Sequence, residues 1–317
     1  MNFGFYGRLT QNFPSQIIVD VCEACNYECI HCPQSRFKHS EEFSGAFLDE
    51  NMNKKMVDEV ADFGLVGQIR YTAMGEPLLH PKIMDLLEYA VKHSQTLVSL
   101  TTNGSLLDNG KTRQLLEMNV GLIDFSLDAA SAENYEKIRR GGNFATVKDN
   151  VLQMIDLKRK LNAKTRIVIS FVEQAENAHE VADFRRFWEE NGADFVIIRK
   201  LHSAGGFFHK IENTDVFPCV YPWERIVLGA KGNLGFCPAS WEGSTTIHEN
   251  YEKTTIKAVW NSEIYTKLRT EHLSGKYDKF AVCKNCPDRH LTIWPAAAAG
   301  EHRGYGDMIQ EIKENKS

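Results

Sequence analysis

Residues 16–32 read QIIVDVCEACNYECIHC. The first six form a short apolar run rich in β-branched residues, which predicts a buried strand over 16–21. Four cysteines follow within eleven residues: Cys22, Cys25, Cys29 and Cys32. Thiols grouped on a loop at the carboxyl end of a strand suggest a metal centre rather than a packed core. Cys25, Cys29 and Cys32 have the form C-x3-C-x2-C. Three thiolates on one short loop can hold three irons of a four-iron cluster, leaving a fourth iron open to a bound molecule. Two closed alternatives exist. With Cys22 the set becomes C-x2-C-x3-C-x2-C-P, the inner spacing of a bacterial ferredoxin run reversed, and four cysteines also suit zinc.

Working outward, similar apolar runs recur: QIRYTA (68–73), TLVSLTT (96–102), GLIDFSLD (121–128), TRIVISFV (165–172) and ADFVIIRK (193–200). Several are near-continuous, as expected of parallel strands buried on both faces. Amphipathic stretches lie between them, at 49–63, 80–92, 108–118, 144–161 and 178–190. In the first, Met52, Met56, Val57, Val60 and Phe63 share one stripe behind Asp49, a cap residue. The methionines are therefore core residues, not a metal box. Alternating strands and helices connected by right-handed crossovers predict an α/β fold, a partial (β/α)6 parallel barrel with its chemistry at the carboxyl ends of the strands. The rhythm stops near Leu201. The expected division is a barrel over 1–208, a linker near 209–218, and a small α+β domain over 209–317. That second part shows short strands in RIVLGAKGNLGF, a helix near 261–272 and a short helix near 306–315.

Composition limits the function classes. The chain has 317 residues, 43% hydrophobic and 25% charged, which is ordinary globular usage. Its net charge of 37 − 42 = −5 gives no nucleic-acid footprint. No apolar run reaches the ~18 residues of a membrane span, and the N-terminus shows no secretory signal, so a cytoplasmic location is expected. In a reducing compartment, grouped cysteines read as metal ligands or redox groups.

The cysteine triplet after the first strand resembles the defining motif of the radical SAM superfamily. There, the open iron is chelated by S-adenosylmethionine (SAM). Further segments match at successive strand ends. Met74-Gly75-Glu76-Pro77 is similar to the family's GGE-type motif, and the resemblance assigns Gly75 and Glu76 to the methionine amino group. Thr101-Thr102-Asn103-Gly104 is similar to a recurrent TNG turn. Ser126 and Asp128 lie where relatives bind ribose or carboxylate, Ser170 is a further ribose candidate, and Arg139 matches an arginine on the SAM carboxylate, with Arg140 second. His31 occupies the place of an aromatic residue that packs near the adenine.

Cys219, Cys237, Cys283 and Cys286 form a second set, with spacings of 18 and 46 residues and then C-x2-C. Spacing alone allows zinc or a four-iron cluster. The layout resembles the auxiliary iron–sulfur domain of the SPASM and twitch subfamilies, most closely the twitch-type aminocyclitol dehydrogenases. The resemblance implies two [4Fe-4S] clusters and SAM, reductive cleavage of SAM to a 5′-deoxyadenosyl radical, and an external electron donor such as flavodoxin or ferredoxin. The implied reaction is oxidation of an alcohol on a sugar-like or aminocyclitol small molecule. His202 and Glu173 are candidate bases. Radical epimerisation is a second outcome, with Cys22 as hydrogen donor. Peptide modification is a third, against which stand the four C-terminal cysteines and the ~15 residues before the first strand. The regions expected to read the substrate are 201–210, 219–225 and 291–305.

Overall fold

The computed structural model describes residues 3–64, 67–72, 74–205, 208, 218–238, 243–284, 286–295, 309 and 312. Most of the expected linker (209–217 of 209–218), Gly206 and the tail from 296, apart from residues 309 and 312, lie outside the described residues.

All six expected strands form: β1 (Gln16–Asp20), β2 (Gln68–Thr72), β3 (Leu97–Thr102), β4 (Leu122–Ser126), β5 (Arg166–Glu173) and β6 (Phe195–Lys200). They pair in parallel and in chain order. The helices are α1 (Gln34–Phe37), α2 (Glu50–Phe63), α3 (Ile83–His93), α4 (Asn109–Glu117), α5 (Ala132–Ile138), α6 (Phe144–Leu161) and α7 (Val181–Asn191). Beyond them come α8 (Tyr221–Glu224), β7 (Arg225–Leu228), β8 (Leu234–Gly235), β9 (Thr246–His248), α9 (Ile256–Trp260), α10 (Glu263–Ser274) and α11 (Ala281–Lys284). Local chemistry sets the helix starts. Asp49 accepts from the Asn51 and Met52 amides, and Asp108, Ser131, Asn143 and Ser262 cap their helices in the same way.

The sheet order is β6-β5-β4-β3-β2-β1-β7-β8-β9, so β6 and β9 are edges and the barrel stays partial. The cysteine-bearing second half does not begin a separate sheet. β7 pairs in parallel with β1, Gln16 to Val19 against Arg225 to Leu228, and β8 and β9 continue antiparallel. β1, the strand that delivers the first cysteine loop, is therefore central.

The strands are less uniformly apolar than their sequences suggested. One face, with Ile17, Val19, Ile69, Ile123, Phe125, Ile167 and Ile169, packs in the main core with Val57, Leu87, Leu115 and Val151 of the helices. The other face lines the barrel and is largely polar. Gln16 Nε2 donates to Gln68 Oε1 (2.8 Å), and Gln68 Nε2 donates to Ser99 Oγ (2.6 Å). Ile309 and Ile312, from the expected C-terminal helix, pack against Leu97, Leu122 and Val168, close to the amino ends of the strands.

Because β7 extends the β1 sheet, the two halves should unfold together. Truncating the fully buried Ile226 to Ala should cost about 2–5 kcal/mol. In urea, far-UV circular dichroism and tryptophan fluorescence should report one coincident, shifted transition. Two separate transitions, with only the later half affected, would contradict this continuity.

Candidate active site

The first cysteine loop is held by backbone bonds to the end of α5. Glu28 N–H donates to Arg140 O (2.9 Å) and Ile30 N–H to Ile138 O (2.9 Å). This pairing turns Arg139 inward and leaves Arg140 exposed, separating the two candidates. Arg139 Nη2 donates to Asp128 Oδ2 (2.5 Å), and its Nη1 lies 3.9 Å from Cys29 Sγ. Asp128 is fully buried at φ +63°, a left-handed conformation that Asp tolerates better than most residues. Its Oδ1 accepts from Val172 N–H (2.7 Å), and its carbonyl accepts from Asn177 Nδ2 (2.7 Å).

The three thiols share a pocket that resists their ionisation. Burial raises the pKa of Cys25 and Cys32 to about 12 and also raises that of Cys29, while neighbouring thiols and Glu76 or Asp128 add like charge. Tyr27 N–H points at Cys25 Sγ (3.5 Å). Glu76 is 3% exposed, and its carboxylate accepts from Thr102 Oγ1 (2.6 Å), Asn103 N–H (2.8 Å) and Leu78 N–H (3.0 Å). Burial raises its pKa, and no ion pair reaches it among the described residues. A cationic cluster held by the thiols and an ammonium group at Glu76 would supply the positive charge that this donor set calls for.

Gly75 has a steric reason. A Cβ there would run into the carbonyl oxygens of Ala24 and Cys22, so only glycine lets the second strand-end loop lie on the first. Asp20 Oδ1 adds a tie by accepting from Met74 N–H (2.9 Å). Asn103 donates to Asn26 Oδ1 (3.0 Å), joining the third loop to the cysteine loop. His31 Nε2 faces Asp128 Oδ2 at 3.4 Å, while its Nδ1 is buried without a hydrogen-bond partner among the described residues. Burial lowers its pKa to about 4, so it is a neutral imidazole at pH 7. Ser126 ends β4 in register with Ser170.

Other candidates fall elsewhere. Ser170 Oγ donates to Asp124 Oδ1 (2.5 Å), and Asp124 Oδ2 also receives Arg70 and Arg199 (3.2 Å each). This buried polar cluster inside the barrel was missed, although a charged residue within QIRYT and FVIIRK was its signal. Cys22 is 1% exposed and directs its thiol at Glu76 O (3.1 Å) and Ala24 O (3.4 Å), with burial raising its pKa. Glu173 receives Lys200 Nζ (2.7 Å) at the carboxyl ends of β5 and β6. His202 Nδ1 accepts from Ala204 N–H (3.1 Å), so the neutral ring carries its proton on Nε2. Its side chain is exposed at the surface, yet the protein groups crowding it lower its pKa by desolvation, with Asp288 opposing and Arg199 acting in the same direction.

Cys219, Cys237, Cys283 and Cys286 gather in the second half, and burial raises the pKa of Cys219, Cys283 and Cys286. Cys283 feels Cys237, Cys219 and Cys286 as like charges, and Cys219 feels Cys237 and Cys286. His272 Nδ1 accepts from Cys219 N–H (3.3 Å). Among the described residues, no three His, Cys, Asp or Glu side chains converge on a single-ion site. In both cysteine sets the thiols are buried or partly buried. No helix among the described residues is long and apolar enough to cross a membrane.

Comparison with known proteins agrees with this arrangement. Residues 19–185 match the model of the Radical SAM superfamily, and residues 219–287 match that of SPASM, an iron–sulfur cluster-binding domain. An AdoMet-dependent heme synthase of Methanosarcina barkeri is 26% identical over 88% of this chain and 92% of its own length. A probable GTP 3′,8-cyclase of Methanothermobacter thermautotrophicus is 30% identical, and the match spans about three fifths of each protein, 61%. Among solved structures, BtrN in complex with AdoMet and 2-DOIA superimposes with a TM-score of 0.61 at 17% identity, covering 88% of this chain and 94% of that one. The chain belongs to the radical SAM superfamily and carries a SPASM iron–sulfur cluster-binding domain after its partial barrel.

Proposed function

We propose that this enzyme performs a two-electron oxidation of a small molecule, with Cys25, Cys29 and Cys32 holding the SAM-binding cluster and Cys219, Cys237, Cys283 and Cys286 holding an auxiliary one. The observation that carries the reading is the buried constellation at the strand ends: three thiols, a Glu76 carboxylate without an ion pair among the described residues, and Arg139. When bound there, the first cluster and SAM supply a hydrogen-abstracting 5′-deoxyadenosyl radical, and the second cluster supplies an electron acceptor.

The chain's own residues bind and orient. Glu76 and the loop around Gly75 receive the ammonium group of SAM, and Arg139, fixed by Asp128, receives its carboxylate. His31 Nδ1 and Asn103 lie in the adenosine region. At the barrel mouth, His202 offers Nε2–H as a hydrogen-bond donor, so it orients an oxygen of the substrate. Glu173 is then the candidate to take a hydroxyl proton. Cys22, occupied with the Glu76 carbonyl, is poorly aimed to return a hydrogen atom, which supports oxidation over epimerisation.

A sugar-like or aminocyclitol alcohol is the first substrate reading, supported by the fold shared with BtrN, whose solved complex holds 2-DOIA. The near full-length similarity to an AdoMet-dependent heme synthase favours a second, a reaction on a heme precursor. An external reductant such as flavodoxin or ferredoxin completes the scheme.

Anaerobically reconstituted protein should contain about eight irons per chain and release 5′-deoxyadenosine from SAM on reduction. Cys29→Ala should leave about four irons and no 5′-deoxyadenosine, whereas Cys219→Ala should lose iron but keep cleavage. Cleavage that persists in Cys29→Ala would sink the assignment. Glu76→Gln should weaken SAM binding about tenfold or more with the first cluster intact, read by equilibrium dialysis with iron analysis. Unchanged affinity in this variant would remove Glu76 from the SAM site.

A further inference from the structure

The turn that leaves β6 is held by a residue of the other half. Asp288 accepts three hydrogen bonds from it. Its Oδ1 takes Ser203 N–H (2.6 Å), and its Oδ2 takes the Ser203 hydroxyl (2.9 Å) and Gly205 N–H (2.7 Å). Ser203 is fully buried, and Ala204 between them is 2% exposed at φ +55°. A residue with a Cβ stays in that left-handed region only where its surroundings enforce it. Three donors on one carboxylate do so here.

The turn also fixes a candidate substrate contact, because Ala204 N–H binds His202 Nδ1 (3.1 Å). His202 lies close enough to His31 and Arg199 for their charges to interact. Asp288 follows Cys286 by two residues, in the 3-10 turn Pro287–Leu291. Cys286 N–H in turn donates to Cys283 O (3.4 Å). The segment that would hold the auxiliary cluster thus ends in the carboxylate that holds the barrel mouth.

We infer that Asp288 is a positioning residue that couples the auxiliary centre to the order of the 202–205 turn, and so to the placement of His202. The inference rests on the reading that Cys219, Cys237, Cys283 and Cys286 hold a cluster. In that case the second domain shapes the substrate site mechanically as well as serving redox chemistry. Losing the auxiliary cluster loosens the mouth even where no mouth residue has changed.

Hydrogen exchange with mass spectrometry on the anaerobically reconstituted full chain tests this, read on peptides spanning 200–207. In Asp288→Ala, the Ser203 and Gly205 amides should exchange about tenfold faster or more. Iron content, the auxiliary EPR signal and protection of β1–β5 should stay as in the wild type. Asp288→Asn keeps one acceptor oxygen and should be intermediate. Cys219→Ala, which changes neither the turn nor Asp288, should lose the auxiliary signal and speed the same amides. Wild-type exchange in Asp288→Ala, or full protection of the turn in a folded Cys219→Ala lacking the auxiliary signal, would overturn the coupling alone. A wild-type iron count near four would overturn the cluster reading and the coupling with it.

Discussion

Placing ionised sulfur in a pocket that already holds carboxylates is the constraint on which this structure depends. Cys25, Cys29 and Cys32 share their surroundings with Glu76 and Asp128, all at or beyond the carboxyl ends of parallel strands. Burial and like charge both oppose ionisation there. Among the described residues, the cation fixed in this pocket is Arg139, which donates to Asp128 and reaches toward Cys29. The remaining positive charge has to come from bound groups. That need explains why the pocket is closely tied: Asp20 to Met74, Asn103 to Asn26, and Glu76 to three donors. A looser site would let water in and weaken every one of these electrostatic terms.

The same logic extends through the sheet. β1 carries the cysteine loop and accepts β2 on one edge and β7 on the other. Lys231, from the turn after β7, reaches Glu23 (3.0 Å), which lies between Cys22 and Cys25 and binds the Ser44 and Ala46 amides. Asp288 reaches in the opposite direction, to the turn after β6. The second domain therefore grips the barrel at both the first and the last of its six strands.

Much of this was legible in the sequence. Strand positions were clear because β-branched runs bounded by caps and glycines leave few alternatives, and the cysteine spacing pointed to the chemistry. Other features were hidden for physical reasons. The short α5 merges in sequence with the segment leading to Arg139, and its cap, Ser131, becomes evident only with the fold. The polar barrel lining was masked because Gln16, Gln68 and Ser99 sit within apolar runs and satisfy one another across strands. Pairing of β7 with β1 joins residues more than 200 positions apart, which no local pattern reports. His202 was visible as a candidate, but its role depends on which ring nitrogen is free. Only the Ala204 amide decides that.

The central claim is that the iron not bound by Cys25, Cys29 and Cys32 is where SAM binds. Electron–nuclear double resonance on the reduced Cys219→Ala protein, which retains the first cluster, tests it with SAM labelled by 15N at the amino group and 17O at the carboxylate. The account predicts hyperfine coupling from both labels to the reduced cluster. Tightly bound SAM that shows coupling from neither label would contradict it.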